Sequence, residues 1–145
     1  MTKMIFVNLP VADVANATAF YKALGFEKNP QFSNEQASSM QWSDAIVVML
    51  LDRAFFSTFT DKTIIDARTQ TGPLISLSRD SRAEVDAITE AALAAGGREL
   101  HDPEDMGFMY SRAFEDLDGH GWGTLHMDMA AANAMGDDIH KPVEA

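Results

Sequence analysis

From Met4 to Leu9 the chain runs through β-branched, aromatic and aliphatic residues and stops at Pro10, as a strand bounded by a residue without an N–H does. The period then changes. Asp13 stands where an N-cap would, Val14, Ala17, Phe20, Tyr21 and Leu24 recur at three- and four-residue spacing, and Gly25 follows at the C′ position, which predicts a helix. Three strands are predicted next, over 26–32, 37–43 and 45–51. The last, Ala45 to Leu51, is apolar without alternation and so predicts burial on both faces. Residues 53–71 set Phe55, Phe56, Phe59, Ile64 and Ile65 among polar residues, the pattern of a loop with short helical turns lying on the core.

The pattern then restarts. Pro73 to Ser78 reads as a strand, Ser81 and Glu84 have capping-box spacing ahead of Val85, Ile88 and Leu93, and Gly96-Gly97 closes the helix. Strands follow near 98–101, 109–115 and 120–127, separated by Asp102-Pro-Glu-Asp105 and Asp116-Leu-Asp-Gly119. Leu9-Pro-Val-Ala-Asp13 and Leu77-Ser-Arg-Asp80 each lead from strand to helix, so a duplicated unit is the simplest reading. The expectation is an α+β fold. Two tandem βαβββ modules, 4–52 and 73–128, make one domain over 1–128, with 129–145 as an alanine-rich C-terminal tail.

Composition removes several function classes. The 145 residues, 46% of them apolar and 23% charged, suffice for a folded core. A formal charge of −11 disfavours nucleic acid and anionic membrane, and fits either a solvated acidic surface or a cationic ligand. The absence of cysteine excludes disulfides, thiolate metal sites and a Cys nucleophile. No stretch is apolar for long enough to span a bilayer, and a cytoplasmic location is the expectation. There is no Gly-rich phosphate loop, His-Glu-x-x-His or Gly-x-Ser-x-Gly.

Two stretches resemble a known superfamily. Phe6-Val-Asn-Leu-Pro-Val-Ala-Asp13 with Thr18-Ala-Phe-Tyr-Lys-Ala-Leu-Gly25-Phe26 looks like the first strand and helix of vicinal oxygen chelate proteins, the glyoxalase, bleomycin-resistance and extradiol-dioxygenase superfamily. Glu115-Asp-Leu-Asp-Gly-His-Gly-Trp122 resembles their late turn, and Gly107-Phe-Met-Tyr110 recurs in a lactoylglutathione-lyase-like bacterial branch. The resemblance covers residues 4–128. It implies a cup-shaped curved sheet with helices outside and a divalent ion on the cup floor. By the same resemblance, the ligand positions fall at Phe6, near Val48, at Leu74 and at Gly123, none able to coordinate a hard or borderline cation. Sliding the register by one offers Ile5 or Val7, Met49, Ile75 or Pro73, and Trp122 or Thr124, and restores no His/Glu set. The expectation is therefore a protein without metal or other cofactor.

Strand alternation sorts the remaining residues by face. If the ligand positions face the cup, Phe6, Asn8, Ile46, Val48, Leu50, Leu74, Ser76, Gly121, Gly123 and Leu125 line it. Ile5, Val7, Leu9, Ile75, Leu77 and Trp122 then pack under helices. Gly121 and Gly123 remove side-chain volume, leaving room for a ligand or a close backbone. Tyr110 and Arg112 could reach the rim, Tyr110 as donor or acid and Arg112 to hold a carboxylate, or serve an edge strand. His120 and His126 read as hydrogen-bonded structural groups, His101 as a rim or turn residue or a general base, and His140 as a solvated tail residue.

Three functional readings follow. The first is a metal-free binder of a small molecule, the acidic balance suiting a cationic one, in the manner of bleomycin-resistance proteins and, as the resemblance implies, a homodimer. The second is a lyase or isomerase of lactoylglutathione-lyase type using Tyr110, His101 or a metal site assembled across a dimer. The third is a dimeric scaffold without ligand. No residue is singled out as catalytic.

Overall fold

The computed structural model describes residues 2–136. Two compact units emerge, one of residues up to Gly72 together with Asp116–His120, the other of Pro73–Glu115 with Gly121 onward. The fold is α+β, and each unit is built on an open mixed sheet.

The first unit begins with β1 (Ile5–Val11) and α1 (Val14–Ala23), continues through β2 (Glu27–Lys28), β3 (Ala37–Gln41) and β4 (Ile46–Asp52), and ends in the single turn α2 (Arg53–Phe56). Asp13 caps α1 as expected, its carboxylate accepting from Asn16 N–H at 2.9 Å. The sheet order is β1-β4-β3-β2, with β1 parallel to β4. Central β4 explains the unbroken apolar run, since Val47, Val48, Leu50 and Leu51 are all buried, on both faces. Tyr21 of α1 meets Phe26 edge-on at 5.2 Å and Phe26 meets Trp42 at 4.9 Å. Trp42 lies two residues beyond Met40, so this ladder identifies the face of Met40, Val48, Leu50 and Leu9 as the one under the helix.

The strand predicted over 26–32 shortens to two residues. Pro30 has no N–H for a ladder, and the Asn29 side chain accepts from Gln31 N–H, which winds Pro30–Phe32 into a 3₁₀ turn. The predicted aromatic loop holds α2 and a 3₁₀ turn, Ser57–Phe59, with Phe59 against Phe55 and Phe56.

The second unit contains β5 (Ile75–Ser78), α3 (Arg82–Ala94), β6 (Arg98–Glu99), β7 (Glu104–Asp105), β8 (Met109–Glu115), β9 (Gly121–Met127) and α4 (Met129–Met135). The sheet order is β5-β9-β8-β6, with β7 also pairing on β8. Ser81 caps α3 through Glu84 N–H at 3.1 Å, and Glu84 reaches back one residue further than the capping box expects, to Asp80 N–H at 2.9 Å. Two expectations change here. The strand predicted over 98–101 ends at Glu99, and Glu104-Asp105, read as part of a turn, pairs with Ser111 and Tyr110. Part of the predicted tail is helix α4, capped by Asp128; His140 lies outside the described residues.

Candidate functional site

Register decides what the second unit presents on each face, because bridged residues share a side of the sheet. Trp122 pairs with Ile75 and Phe114, and Thr124 with Leu77 and Arg112. That face lies under α3: the Arg112 guanidinium bonds Asp86 and Glu90 of α3 at 3.1 and 2.9 Å and Glu99 of β6 at 2.9 Å. Trp122, Phe114 and Thr124 are fully buried there. The opposite, open face carries Ser76, Gly123 and Ala113 in one row across three strands, with Ser78, Leu125 and Ser111 in the next. Small residues in a row leave a depression. A groove of about 290 Å³ runs over it, rimmed by Leu74, Leu100, His101 and Glu104.

His101 is exposed at this rim, its Nδ1 2.8 Å from the Asp102 carbonyl oxygen and 3.8 Å from Glu104. Ser76 and Ser111 supply hydroxyls to an otherwise mainly apolar lining.

A family profile described as bleomycin resistance protein-like N-terminal matches residues 3–38. No curated protein matches the chain. A hypothetical protein from S. aureus is 28% identical and superposes with a TM-score of 0.74, over 87% of this chain and 94% of that one. A glyoxalase/bleomycin resistance protein/dioxygenase family enzyme from Burkholderia phytofirmans aligns at 15% identity and TM-score 0.72, covering 87% and 99%. The fold is that of the glyoxalase/bleomycin resistance/dioxygenase superfamily. A lactoylglutathione lyase from Agrobacterium tumefaciens shares this vicinal oxygen chelate fold at 18% identity and TM-score 0.63, over 89% and 96%.

The side chains at the vicinal oxygen chelate ligand positions do not fit a divalent ion. Phe6 is 57% exposed on the first sheet and Leu74 is 74% exposed on the second, where it lies over Gly121. Val48 shares the Leu9 face beneath α1, opposite Phe6, because β1 and β4 pair Val7 with Val48 and Asn8 with Met49. The same register corrects the predicted placement of Leu50, which pairs with Leu9, while Asn8 is exposed beside Met49. Met49 offers only a thioether and Gly123 no side chain, and among the described residues no three His, Asp or Glu side chains gather to hold an ion.

Of the remaining predicted pocket residues, Leu74, Ser76, Gly123 and Leu125 come together in the groove. Phe6 and Asn8 belong to the first unit. The glycines leave only part of the room expected of them, since a Cβ on Gly123 would stand 2.7 Å from Ser76 Oγ and one on Gly121 2.7 Å from Leu74 Cδ2, while Gly123 still lines the groove. Their missing side chains let Ser76 and Leu74 lean over β9.

Tyr110 is a correction. It pairs with His126 on the helix side and donates its hydroxyl to Asp86 at 2.7 Å, with the Arg82 guanidinium 5.1 Å from its ring centre. The bond holds the Asp86 carboxyl below its usual range and pushes the Tyr110 phenol up. Arg112 is likewise turned from the rim, its pKa raised first by Glu99. Leu100, Glu104, Met109, Ser111 and Ala113 line the groove without having been singled out from the sequence. Alternation of Ser111 and Ala113 with Arg112 and Phe114 carried the signal, but only pairing with β9 says which set is open.

His126 Nδ1 lies 3.1 Å from the Arg79 carbonyl. His120 Nε2 donates to the Pro10 carbonyl at 2.6 Å, within the first unit. The Asp116–Gly119 turn also lies there: Tyr21 donates its hydroxyl to Asp116, whose pKa burial pushes up. Gly119 has φ +93°, and a Cβ on it would stand 2.7 Å from the Arg68 nitrogen, so glycine is required.

Proposed function

We propose that the protein binds a small, largely apolar organic molecule in the groove over β5, β9 and β8, without a metal ion. The observation that carries this reading is a groove of about 290 Å³ whose floor is Gly123, Ala113 and Leu125 and where the two fold-family ligand positions it contains, Leu74 and Gly123, offer no donor atom. Ser76 and Ser111 would orient the ligand by hydrogen bonds. Glu104 at the rim would favour a cationic substituent, in keeping with the formal charge of −11. The bleomycin resistance protein-like match over residues 3–38 supports a binding role.

Metal analysis of protein purified without chelator, with a ligand screen by thermal shift, tests the reading. It predicts no stoichiometric divalent ion and stabilisation by apolar organic compounds; one tightly bound equivalent of metal would overturn it. His101, beside Glu104 at the groove, favours one rival, acid–base chemistry of lyase or isomerase type. His101→Asn separates the two, since turnover of a groove ligand that this change abolishes would make the protein an enzyme.

A further inference from the structure

A second pocket, of about 280 Å³, lies wholly within the first unit, and its walls include Arg53, Arg68, Asp66, Asp118, His120 and Pro10. Arg79, Arg82, Arg98 and Arg112 each lie within 4.0 Å of a carboxylate. Among the described residues, the remaining two arginines, Arg53 and Arg68, form no ion pair, and both line this one pocket.

Backbone groups hold these charges in place without neutralising them. Arg53 donates to the carbonyls of Ile65 and Ile64 at 3.2 and 3.3 Å, and Arg68 to that of Leu117 at 3.0 Å. A guanidinium has five N–H donors, so each keeps unspent ones. The carboxylates are tethered in the same way, Asp66 accepting from Arg68 N–H at 3.0 Å and Asp118 from Ala12 N–H at 2.8 Å. Because the Pro10 oxygen can only accept, His120 Nε2 carries a proton toward it and that nitrogen is not available to a ligand. The walls thus present both signs of charge, fixed and not paired with each other, in a protein with only 11 basic side chains.

We propose that this pocket is a second binding site, for a small zwitterion joining a carboxylate or phosphate to an ammonium group. The anionic end sits on Arg53 and Arg68, whose forks match two oxygens of one group, and the ammonium on Asp66 and Asp118. A pure anion would leave both aspartates facing it, and a pure cation both arginines.

The test is an amide-shift NMR titration of the full chain with L-serine and O-phosphoethanolamine, against acetate, inorganic phosphate and ethylamine. The expected result is saturable shifts at Ala12, Ala67, Arg68 and Asp118 for at least one zwitterion. That zwitterion should bind about tenfold or more tighter than any single-charge compound, a gap of about 1.4 kcal/mol. Arg53→Gln and Asp66→Asn should each weaken it, and neither touches the groove over β9, so the outcome is independent of that site. Absence of saturation by both zwitterions would overturn the proposal. So would acetate or phosphate binding as tightly, or unchanged affinity in an Arg53→Gln protein that melts as the parent does.

Discussion

A methyl group placed on Gly123 would stand 2.7 Å from Ser76 Oγ, so even Gly123→Ala forces that hydroxyl into another rotamer. Gly123→Leu would go further and fill the groove. We expect it to abolish ligand-induced stabilisation while costing about 1–3 kcal/mol, since Ser76 must yield. The neighbouring residue reports on the opposite face. Trp122→Ala opens a cavity beneath α3, where the ring is fully buried, and should cost about 3–5 kcal/mol by denaturant unfolding, with ligand uptake retained at temperatures where the variant is folded. Equal loss of ligand response in both variants would contradict the face assignment.

At the scale of elements, β8 is tied to α3 by polar groups. Tyr110 bonds Asp86, and Arg112 sits among Asp86, Glu90 and Glu99. The Tyr110 bond depresses the Asp86 pKa below its ordinary 3.8, so the stability it contributes is present above that value and lost as pH falls through the lowered one. Tyr110→Phe should therefore cost about 1 kcal/mol at pH 7, a modest figure because the Asp86 side chain is 49% exposed. The gap between urea melts of the two proteins should narrow as Asp86 becomes protonated at acid pH, and a gap that stays unchanged across that protonation would exclude this origin.

Most of these elements were legible in the sequence. Periodicity and caps placed α1 and α3 and the apolar run at 45–51 announced a central strand, whereas β1 runs through Pro10, where the sequence pattern ends it, and pairs as far as Val11. Pairing register was not legible, because alternation gives two faces without saying how strands align. That is why Leu74, Ser76 and Gly123 were grouped with Val48 and Leu50, which β1 places on the Leu9 face, and with Tyr110, which α3 claims. How far side chains reach over the glycines depends on β5 and the residue before it, which no single strand's pattern contains.

For the whole molecule, a formal charge of −11 sets solubility and the sign of favoured partners. Among the described residues no helix is long and apolar enough to cross a membrane. Exposed Met4, Ile5, Phe6, Met127 and Met129 support the proposal of a homodimer, for which light scattering should give about twice the 15.9 kDa chain mass at micromolar concentration. A monomer alone would remove it. Whether the groove takes a small molecule without metal is decided by a thermal-shift screen of small apolar and cationic compounds run with and without EDTA. The expected result is one or more ligands whose stabilisation, about 2.7 kcal/mol at 100 times the dissociation constant, is unchanged by the chelator. Stabilisation that EDTA abolishes would contradict it.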